Sequence, residues 1–582
     1  MPGRDAAASL SASRSTRLRG VEKALTALDV GLWRLIVVSA LPTAAAAWAL
    51  LSPDLLLSRE MTWDLLFNLA GAWHLHFGHV PHVDFHEPVG QLNFLLTEAG
   101  FLFFGPTPRA FLAGVVMVTL AIFAAAAFVA WRRLPLLPAA IFIVFACFLV
   151  LMPANVGDQP NVYSFAMSYN RYGWSALAVL ALIVFLPPHD DRSGRDVAEI
   201  AIAAGLLTAM FYLKVTYYVV GTAALDIALL VSPHVRARWK PWTACALLVA
   251  LLPALPHNWP YIADLLAAIR AGGIRNSLGA HLNNFLANAA EYAPYAAAFA
   301  IALWMWRHGT APLRLPVATA FLLITAALLL SQNSQAHGLP AVVVVAFLFY
   351  DVLRERKARR RPGGSFSMLA ALLVFPLLAI ATSAASLAGY RAKVADITLH
   401  VVDSTNLQGL AVPVEKHGVL AAFAHGGSQY RLLNLARSVR TRYELTPYEY
   451  VETLLEAAAM LANDRGGIVL LDQVNPLPFM LGLAPPRGGN LWSGPGAPLQ
   501  PAEKFFADAD CVLIPKFSTY SPSTEAAIAA YGPYLAEQFR YGQESQSWFL
   551  LRRHAPIAAP PDHVPLDEPI PAIRALSSPA PP

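Results

Sequence analysis

Residues 61–105 read MTWDLLFNLAGAWHLHFGHVPHVDFHEPVGQLNFLLTEAGFLFFG and mix five histidines with four acidic side chains. They separate two apolar runs, at about 31–52 and 108–131, and each run has the roughly 17–25 residues that a membrane-spanning helix needs. The end of the stretch, 92–105, is apolar but short and contains Glu98, so we expect an interfacial helix that does not cross. The sequence therefore predicts a long first loop, 53–107, at the membrane surface.

The rest of the chain has the composition of a membrane protein. Of its 582 residues, 56% are hydrophobic and 14% are charged, whereas soluble domains carry roughly a quarter charged residues. The predicted fold is an α-helical polytopic membrane protein with about eleven transmembrane helices. The eleven apolar runs lie at about 31–52, 108–131, 135–153, 173–188, 197–213, 215–232, 241–257, 286–306, 312–331, 339–353 and 366–388.

The distribution of Lys and Arg predicts the orientation of the chain. If 92–105 does not cross, all basic clusters fall on one face, which should be cytoplasmic. The clusters lie at 14–23, 132–133, 192–195, 236–240, 307–314 and 354–361. We interpret them as plain topogenic charge. Because they do not form one folded basic surface, they exclude a nucleic-acid partner.

This orientation predicts the domain organisation of a multi-pass inner (plasma) membrane protein that contacts membrane lipids. A cytoplasmic basic tail (1–29) precedes a transmembrane domain (30–388), and an extracytoplasmic domain (389–554) precedes a disordered Pro-rich tail (555–582). Short apolar runs in the extracytoplasmic domain, LHVVD, GIVLLD, CVLIP and SWFLL, have strand length and alternate with helical patterns. That alternation predicts a small α/β domain.

The first loop also contains a motif. An acidic residue follows the first helix, and a Gly-x-x-Pro turn and an Asp/His-rich segment ending in Pro and Gly come after it. The residues of the motif are Asp64, Gly78, Pro81, Asp84, His86, Pro88 and Gly90. This arrangement resembles the polyprenyl-phosphate-dependent GT-C glycosyltransferases, which include protein O-mannosyltransferases and lipid A aminoarabinose transferases. The resemblance implies a GT-C-like transmembrane domain and a polyprenyl-phosphate sugar donor.

Two departures from the family pattern limit what the resemblance implies. The family usually has an Asp-Glu pair after the first helix, whereas Leu65 follows Asp64 here, and Glu87-Pro88 replaces a doubled proline. The resemblance therefore covers the fold and the reaction class, but not the sugar or the acceptor.

Glycosyl transfer needs a carboxylate that takes the proton of the acceptor hydroxyl. Asp64, at the predicted membrane boundary, is the first candidate for this base, and Asp84 is the second. For an isolated Asp, the alternative is a solvated loop or capping residue. His86 and Glu87, in the same motif, are assigned to substrate binding.

Transfer from a lipid phosphate also needs groups that stabilise the leaving phosphate. Lys214, between two apolar runs, and Arg171, in the segment SYNRYGW, are the candidates. Their structural alternatives are a snorkelling lysine and a helix-entry anchor. Gln335 and His337, in a polar cluster at 331–340, could bind sugar hydroxyls or could be ordinary loop residues.

The five histidines do not share a helical face, so we expect no metal site, and no cofactor is expected. The function predicted from the sequence is a hexosyl- or pentosyltransferase of the cell envelope that uses a lipid-phosphate donor at the extracytoplasmic face. The alternatives are a transporter or flippase of lipid-linked or small substrates and a non-catalytic envelope assembly protein. A transporter would favour paired repeats and broken helices.

Overall fold

The structure is a computed structural model. It describes residues 31–189, 193–272, 277–287, 289–331, 339–359, 365–396, 399–402, 404–416, 445–494, 497–516, 518–519 and 521–554. The two predicted tails lie outside these residues, and so do Gln335 and His337.

Helices dominate the first two-thirds of the described chain. In chain order they are α1 (Leu32–Leu51), α2 (Thr62–His76), α3 (Leu92–Phe104), α4 (Pro108–Trp131), α5 (Leu136–Leu151), α6 (Ser168–Phe185), α7 (Ser193–Leu213), α8 (Val215–Val231), α9 (Pro233–Ala237), α10 (Trp239–Ala250), α11 (Trp259–Ala271), α12 (Leu278–Ala287), α13 (Ala289–Arg307), α14 (Arg314–Ser331), α15 (Leu339–Arg359) and α16 (Ser365–Val394). Each of the eleven apolar runs predicted from the sequence coincides with one of these helices.

Four of the described helices are long and apolar enough to cross a membrane: α1, α4, the part of α7 from Asp196 to Leu213, and the part of α16 from Leu372 to Val394. The pair α10 and α11, bent by 55° at its break, would make a fifth span if it crosses as one unit. Several other apolar helices, α3, α5, α8 and the Arg314–Leu329 part of α14, are shorter. The number of eleven spans therefore stays a prediction.

Helix α5 is the centre of the helical bundle. Every side chain from Pro138 to Leu151 is buried, and α1, α4, α6 and α16 pack around it. A helix that is apolar on all sides is stable in a protein core or in a membrane, where it faces no water. The composition of α5 is therefore compatible with its central position.

The basic residues at the predicted cytoplasmic end are more than topogenic charge. Arg132 and Arg133 are buried, and Glu199 accepts hydrogen bonds from two nitrogens of the Arg133 guanidinium. Arg132 pairs with Asp196, and Arg314 pairs with Asp351 at 3.0 Å. The interpretation as plain topogenic charge is wrong here, because buried guanidinium groups need carboxylate partners and these ones join four helices.

A mixed α/β region follows the bundle. Its elements, together with a short strand from the first loop, are β1 (Leu56–Leu57), β2 (Leu399–Val401), β3 (Leu410–Pro413), α17 (Pro447–Met460), β4 (Ile468–Leu470), α18 (Leu477–Leu481), α19 (Ala502–Phe505), β5 (Cys511–Pro515), α20 (Ser521–Gln538), β6 (Phe539–Glu544) and β7 (Trp548–Arg553). Each of the four strand runs predicted from the sequence contains a strand. Helix α17 begins with a capping box between Thr446 and Glu449.

The strands form two sheets. In the four-stranded sheet, with the order β4-β5-β7-β6, β4 and β5 are parallel and the other pairs are antiparallel. The three-stranded sheet has the order β1-β3-β2, and β1 pairs with β3 in parallel. Because β1 belongs to the first loop and β3 to the C-terminal region, this sheet places both on the same side of the bundle.

Membrane sidedness can be tested with single cysteines, because Cys147, Cys245 and Cys511 are buried. Val83 in the first loop, Val414 in the C-terminal region and Leu313 in the predicted cytoplasmic basic cluster 307–314 are all exposed. In sealed right-side-out vesicles, a membrane-impermeant maleimide should label Val83→Cys and Val414→Cys but not Leu313→Cys. Labelling of positions 83 and 414 from opposite sides would contradict the β1–β3 pairing.

Candidate active site

Asp64 lies in the first turn of α2, the first helix within the first loop. It is half-buried, and its carboxylate accepts a hydrogen bond from the backbone N–H of Met167. Burial raises the pKa of Asp64 to about 7, although the hydrogen bond from Met167 acts in the opposite direction. A carboxyl group with this pKa can exchange a proton near neutral pH, as a general base must.

The first turn of α6 begins directly after Met167, which has a left-handed backbone with φ of 47°. This turn buries Ser168, Asn170 and Arg171. All three guanidinium nitrogens of Arg171 are buried without a hydrogen-bond partner among the described residues. A buried cation without a partner is energetically costly, and an anion bound at this turn would lower that cost.

Lys214 approaches the same turn of α6 from the break between α7 and α8. Its ammonium group donates a hydrogen bond to Oδ1 of Asn170 over 3.2 Å and lies 5.0 Å from the ring centre of Tyr169. The structure thus brings Lys214 next to the residue that precedes Arg171. The two cationic side chains proposed from the sequence belong to one region.

Gly90, at the end of the motif, packs directly on this break. Its N–H donates to the carbonyl of Leu213 over 3.2 Å, and a Cβ atom at position 90 would overlap the backbone carbonyl of Tyr212. Only glycine allows this approach. The motif residue Gly90 therefore fixes the first loop against the segment that carries Lys214.

Glu87 is a second buried carboxyl group near Asp64. Its Oε1 atom accepts a hydrogen bond from the N–H of Val89 over 3.0 Å, whereas Oε2 is buried without a partner among the described residues. Burial raises the pKa of Glu87 well above its usual range, and the charges of Asp264 and Asp64 raise it further. The Glu87 carboxyl group therefore keeps its proton to a higher pH than an ordinary glutamate, and its protonated form can donate a hydrogen bond.

Asp264, in α11, holds the motif loop in place. Its carboxylate accepts from Nδ1 of His86 at 2.8 Å, from Nδ1 of His82 at 3.0 Å and from the backbone N–H of Glu87 at 3.1 Å. The other ring nitrogen of His86 accepts from the Lys504 ammonium group over 2.7 Å. Both ring nitrogens of His86 thus bind protein groups, and His86 links Asp264 of α11 to Lys504 of the C-terminal region.

The segment that contains Asp84 and His86 pairs with the C-terminal region. Gly488 N–H donates to the carbonyl of Asp84 over 2.6 Å, and His86 exchanges backbone hydrogen bonds with Gly489 and Leu491. The Asp84 carboxylate accepts from the N–H of Val80 over 2.7 Å and closes its own turn. These contacts give Asp84 a local structural role, whereas Asp64 faces the turn of α6.

The structure therefore groups the predicted site residues into two sets. Asp64, Arg171 and Lys214 lie around the start of α6 and the break before α8, whereas Asp84 and His86 contact the C-terminal region. Glu87 lies between the two sets, since it is near Asp64 and lines a cavity together with His86. Reasoning from the sequence missed several residues that position these groups: Met167, Asn170, Asp264 and Lys504. Asp264 had a visible signal, since it is a carboxylate in the otherwise apolar segment WPYIADLLAAI.

The remaining histidines of the first loop have separate environments. The Nδ1 atoms of His74 and His79 form a hydrogen bond of 3.0 Å, and His76 stacks on Trp73. Among the described residues, no group of three or more His, Cys, Asp or Glu side chains has an arrangement that could hold a metal ion.

Two solved structures are similar to this chain. The crystal structure of ArnT from Cupriavidus metallidurans bound to undecaprenyl phosphate matches with a TM-score of 0.44 and 12% identity, over 91% of this chain and 100% of that one. The same protein in the apo state matches with a TM-score of 0.40 and 12% identity, over 88% and 97% of the two chains.

No protein-family model and no curated protein sequence matches the chain. TM-scores of this size establish no correspondence between individual residues, so the roles assigned to the side chains depend on the contacts of this chain alone.

The close approach of Gly90 can be tested by adding a single methyl group. Gly90→Ala should lower the free energy of unfolding by about 1–3 kcal/mol, because the overlap with Tyr212 forces the backbone apart. The matched control is Gly205→Ala in α7, where no heavy atom lies within 4 Å of the added Cβ. The melting temperatures of the purified variants in detergent measure the difference, and equal values would show that the loop does not pack on this break.

Proposed function

We propose that the protein is a glycosyltransferase that moves a sugar from a polyprenyl-phosphate donor to an acceptor at the extracytoplasmic membrane face. The observation that carries this proposal is the buried Arg171, whose guanidinium group has no hydrogen-bond partner in the described part of the chain. Arg171 follows Met167, which binds Asp64, and lies beside the contact between Lys214 and Asn170. A cation pair next to a carboxyl group of raised pKa is what phosphate departure and proton removal require together.

The binding of a phosphate explains the geometry around α6. A guanidinium group can donate two parallel hydrogen bonds to a phosphate, and Lys214 adds a second positive charge. The amino end of α6 adds the favourable end of a helix dipole at the same place. A lipid-linked phosphate fits this location because the turn lies where a predicted outer loop enters the helical bundle.

The reaction that we propose needs no covalent enzyme intermediate. The acceptor hydroxyl attacks the anomeric carbon while Asp64 takes the hydroxyl proton, and the bond from that carbon to the phosphate oxygen breaks. The polyprenyl phosphate leaves with the negative charge, which Arg171 and Lys214 stabilise. Direct attack inverts the configuration, as the family resemblance implies.

Glu87 would assist as a neutral acid. Because burial raises the pKa of Glu87 and so favours its protonated form, it would repel a phosphate group less than an ordinary glutamate would. Its unpartnered oxygen could donate to a hydroxyl group of the sugar or to the phosphate. The domain at 389–554 would shape the side of the site that receives the acceptor.

The base can be tested with Asp64→Asn, which keeps the size of the side chain. Turnover should fall by about 10²–10⁴-fold, because the proton acceptor is lost. Below a pH of about 7, the rate of the unaltered enzyme should also fall by about tenfold per pH unit, since protonated Asp64 is inactive. Release of polyprenyl phosphate from a set of polyprenyl-phosphate-linked sugars measures both effects.

Asp84→Asn is the matched control for the base, and it should retain turnover. Activity in Asp64→Asn with inactivity in Asp84→Asn would move the base to Asp84. Full activity in both variants and in the double variant would contradict the mechanism.

The phosphate site can be tested with Arg171→Met, a substitution of similar volume. Because Arg171 has no hydrogen-bond partner among the described residues, this variant should melt at the same temperature as the original protein or higher, while its affinity for undecaprenyl phosphate falls at least about tenfold. Lys214→Met should weaken the same binding. Isothermal titration in lipid nanodiscs measures the affinity.

Arg133→Met provides a control at the opposite end of the bundle. Arg133 is also buried, but it is paired with Glu199, so its loss should lower the melting temperature and leave lipid phosphate binding unchanged. If Arg171→Met behaved like Arg133→Met, Arg171 would be a structural residue and the proposed phosphate site would be wrong.

A further inference from the structure

The C-terminal region contains a cavity at the carboxyl ends of two parallel strands. The cavity encloses about 340 Å³, and Asp472 and Thr524, which follow β4 and β5, contribute to its wall. Pockets of about 300–1,000 Å³ bind small molecules, and α/β sheets bind ligands at this edge. Both the size and the position are therefore those of a ligand site.

A network of buried polar groups shapes one wall of this cavity. Oδ1 of Asp472 accepts hydrogen bonds from the hydroxyl groups of Ser518 at 2.9 Å and Thr519 at 2.8 Å, and from the N–H of Thr519 at 3.1 Å. Ser518 also contacts Thr524 over 2.5 Å. Because Ser518 and Thr519 hold Asp472 in this way, the Asp472 side chain in the cavity wall is oriented before a ligand arrives, which lowers the entropic cost of binding.

The chemistry of the lining selects for an uncharged and hydroxylated ligand. Ser493, Ser523 and Asn490 add polar groups, and Tyr531 and Phe505 add aromatic surface, with their rings stacked at 5.0 Å. Among the described residues that line the cavity, none is Lys or Arg, so an anionic ligand would meet the Asp472 carboxylate without a compensating charge. Hydroxyl groups with an apolar ring face, as in a sugar, match this mixture.

The cavity also adjoins the candidate active site. Asn490 and Ala497 line it, and they also line a smaller cavity whose other walls include His86, Glu87 and Asp264. The loop from His86 to Gly90 thus lines the smaller cavity through His86, Glu87 and Pro88, and its Gly90 packs on the segment before Lys214.

From these observations we infer that the C-terminal cavity binds a neutral sugar residue of the acceptor and directs its hydroxyl group toward Glu87 and Asp64. This inference rests on the proposed function and adds the chemical class of the acceptor. The donor phosphate would occupy the opposite side of the motif loop.

Filling the cavity tests the inference. Ala526 lines the cavity and is exposed on α20, so Ala526→Trp should fill the space without altering the core. Ala529→Trp is the matched control, since Ala529 is exposed on the same helix and does not line the cavity. The probes are methyl glycosides of glucose, galactose, mannose and N-acetylglucosamine, added to the full chain in nanodiscs and followed by saturation-transfer NMR.

At least one glycoside should bind to the original protein and to Ala529→Trp, and its apparent Kd should rise at least about tenfold in Ala526→Trp. Binding of undecaprenyl phosphate should be unchanged in both variants. The inference is overturned if no glycoside binds, if Ala526→Trp binds the glycoside normally, or if it loses undecaprenyl phosphate as well. Because glycoside binding needs no turnover, it can be scored in Asp64→Asn, and failure of the proposed transfer reaction remains a separate result.

Discussion

The arrangement of the site depends on one carboxylate, Asp264. It binds His82, His86 and the backbone N–H of Glu87, and so it fixes three points of a loop that has no regular secondary structure. A buried carboxylate that accepts several hydrogen bonds is stable only if all its partners are in place. The position of Glu87 and the approach of Gly90 to the helix break both follow from this constraint.

The motif loop separates two chemically different environments. On the side of the helices, the start of α6 offers an unpartnered guanidinium group, a lysine and a half-buried carboxyl group. On the side of the sheet, the cavity beyond Asn490 offers hydroxyl groups, aromatic rings and no basic residue among its described lining. A transferase that joins a lipid phosphate donor to a hydroxylated acceptor needs such a division, because the two substrates must meet only at the reacting atoms.

The sequence predicted the local features of this protein well. The apolar runs became helices because their length and composition leave few other structures, and runs such as CVLIP became strands. Asp64 was found because it follows the first helix within a recognisable motif. The pairing of β1 with β3 was not predicted, since two residues of the first loop carry no signal for a strand partner more than 350 residues away.

The environment of the charged groups was not accessible from the sequence either. Glu87 and Asp264 are 177 residues apart, and only the folded chain shows that their charges interact. Likewise, Arg133 and Arg171 are both arginines near the ends of apolar helices, but one is paired with Glu199 and the other has no partner among the described residues. Long-range contacts decide these roles, whereas periodicity and motif spacing report only on neighbours in the chain.

The central claim is that Arg171 binds the phosphate of a lipid donor. An electron cryomicroscopy structure of the full chain in nanodiscs with undecaprenyl phosphate tests it most directly. The account predicts a phosphate within hydrogen-bond distance of the Arg171 guanidinium, with Lys214 and Asp64 both near it. A phosphate bound elsewhere, with Arg171 still without a ligand, would contradict the account.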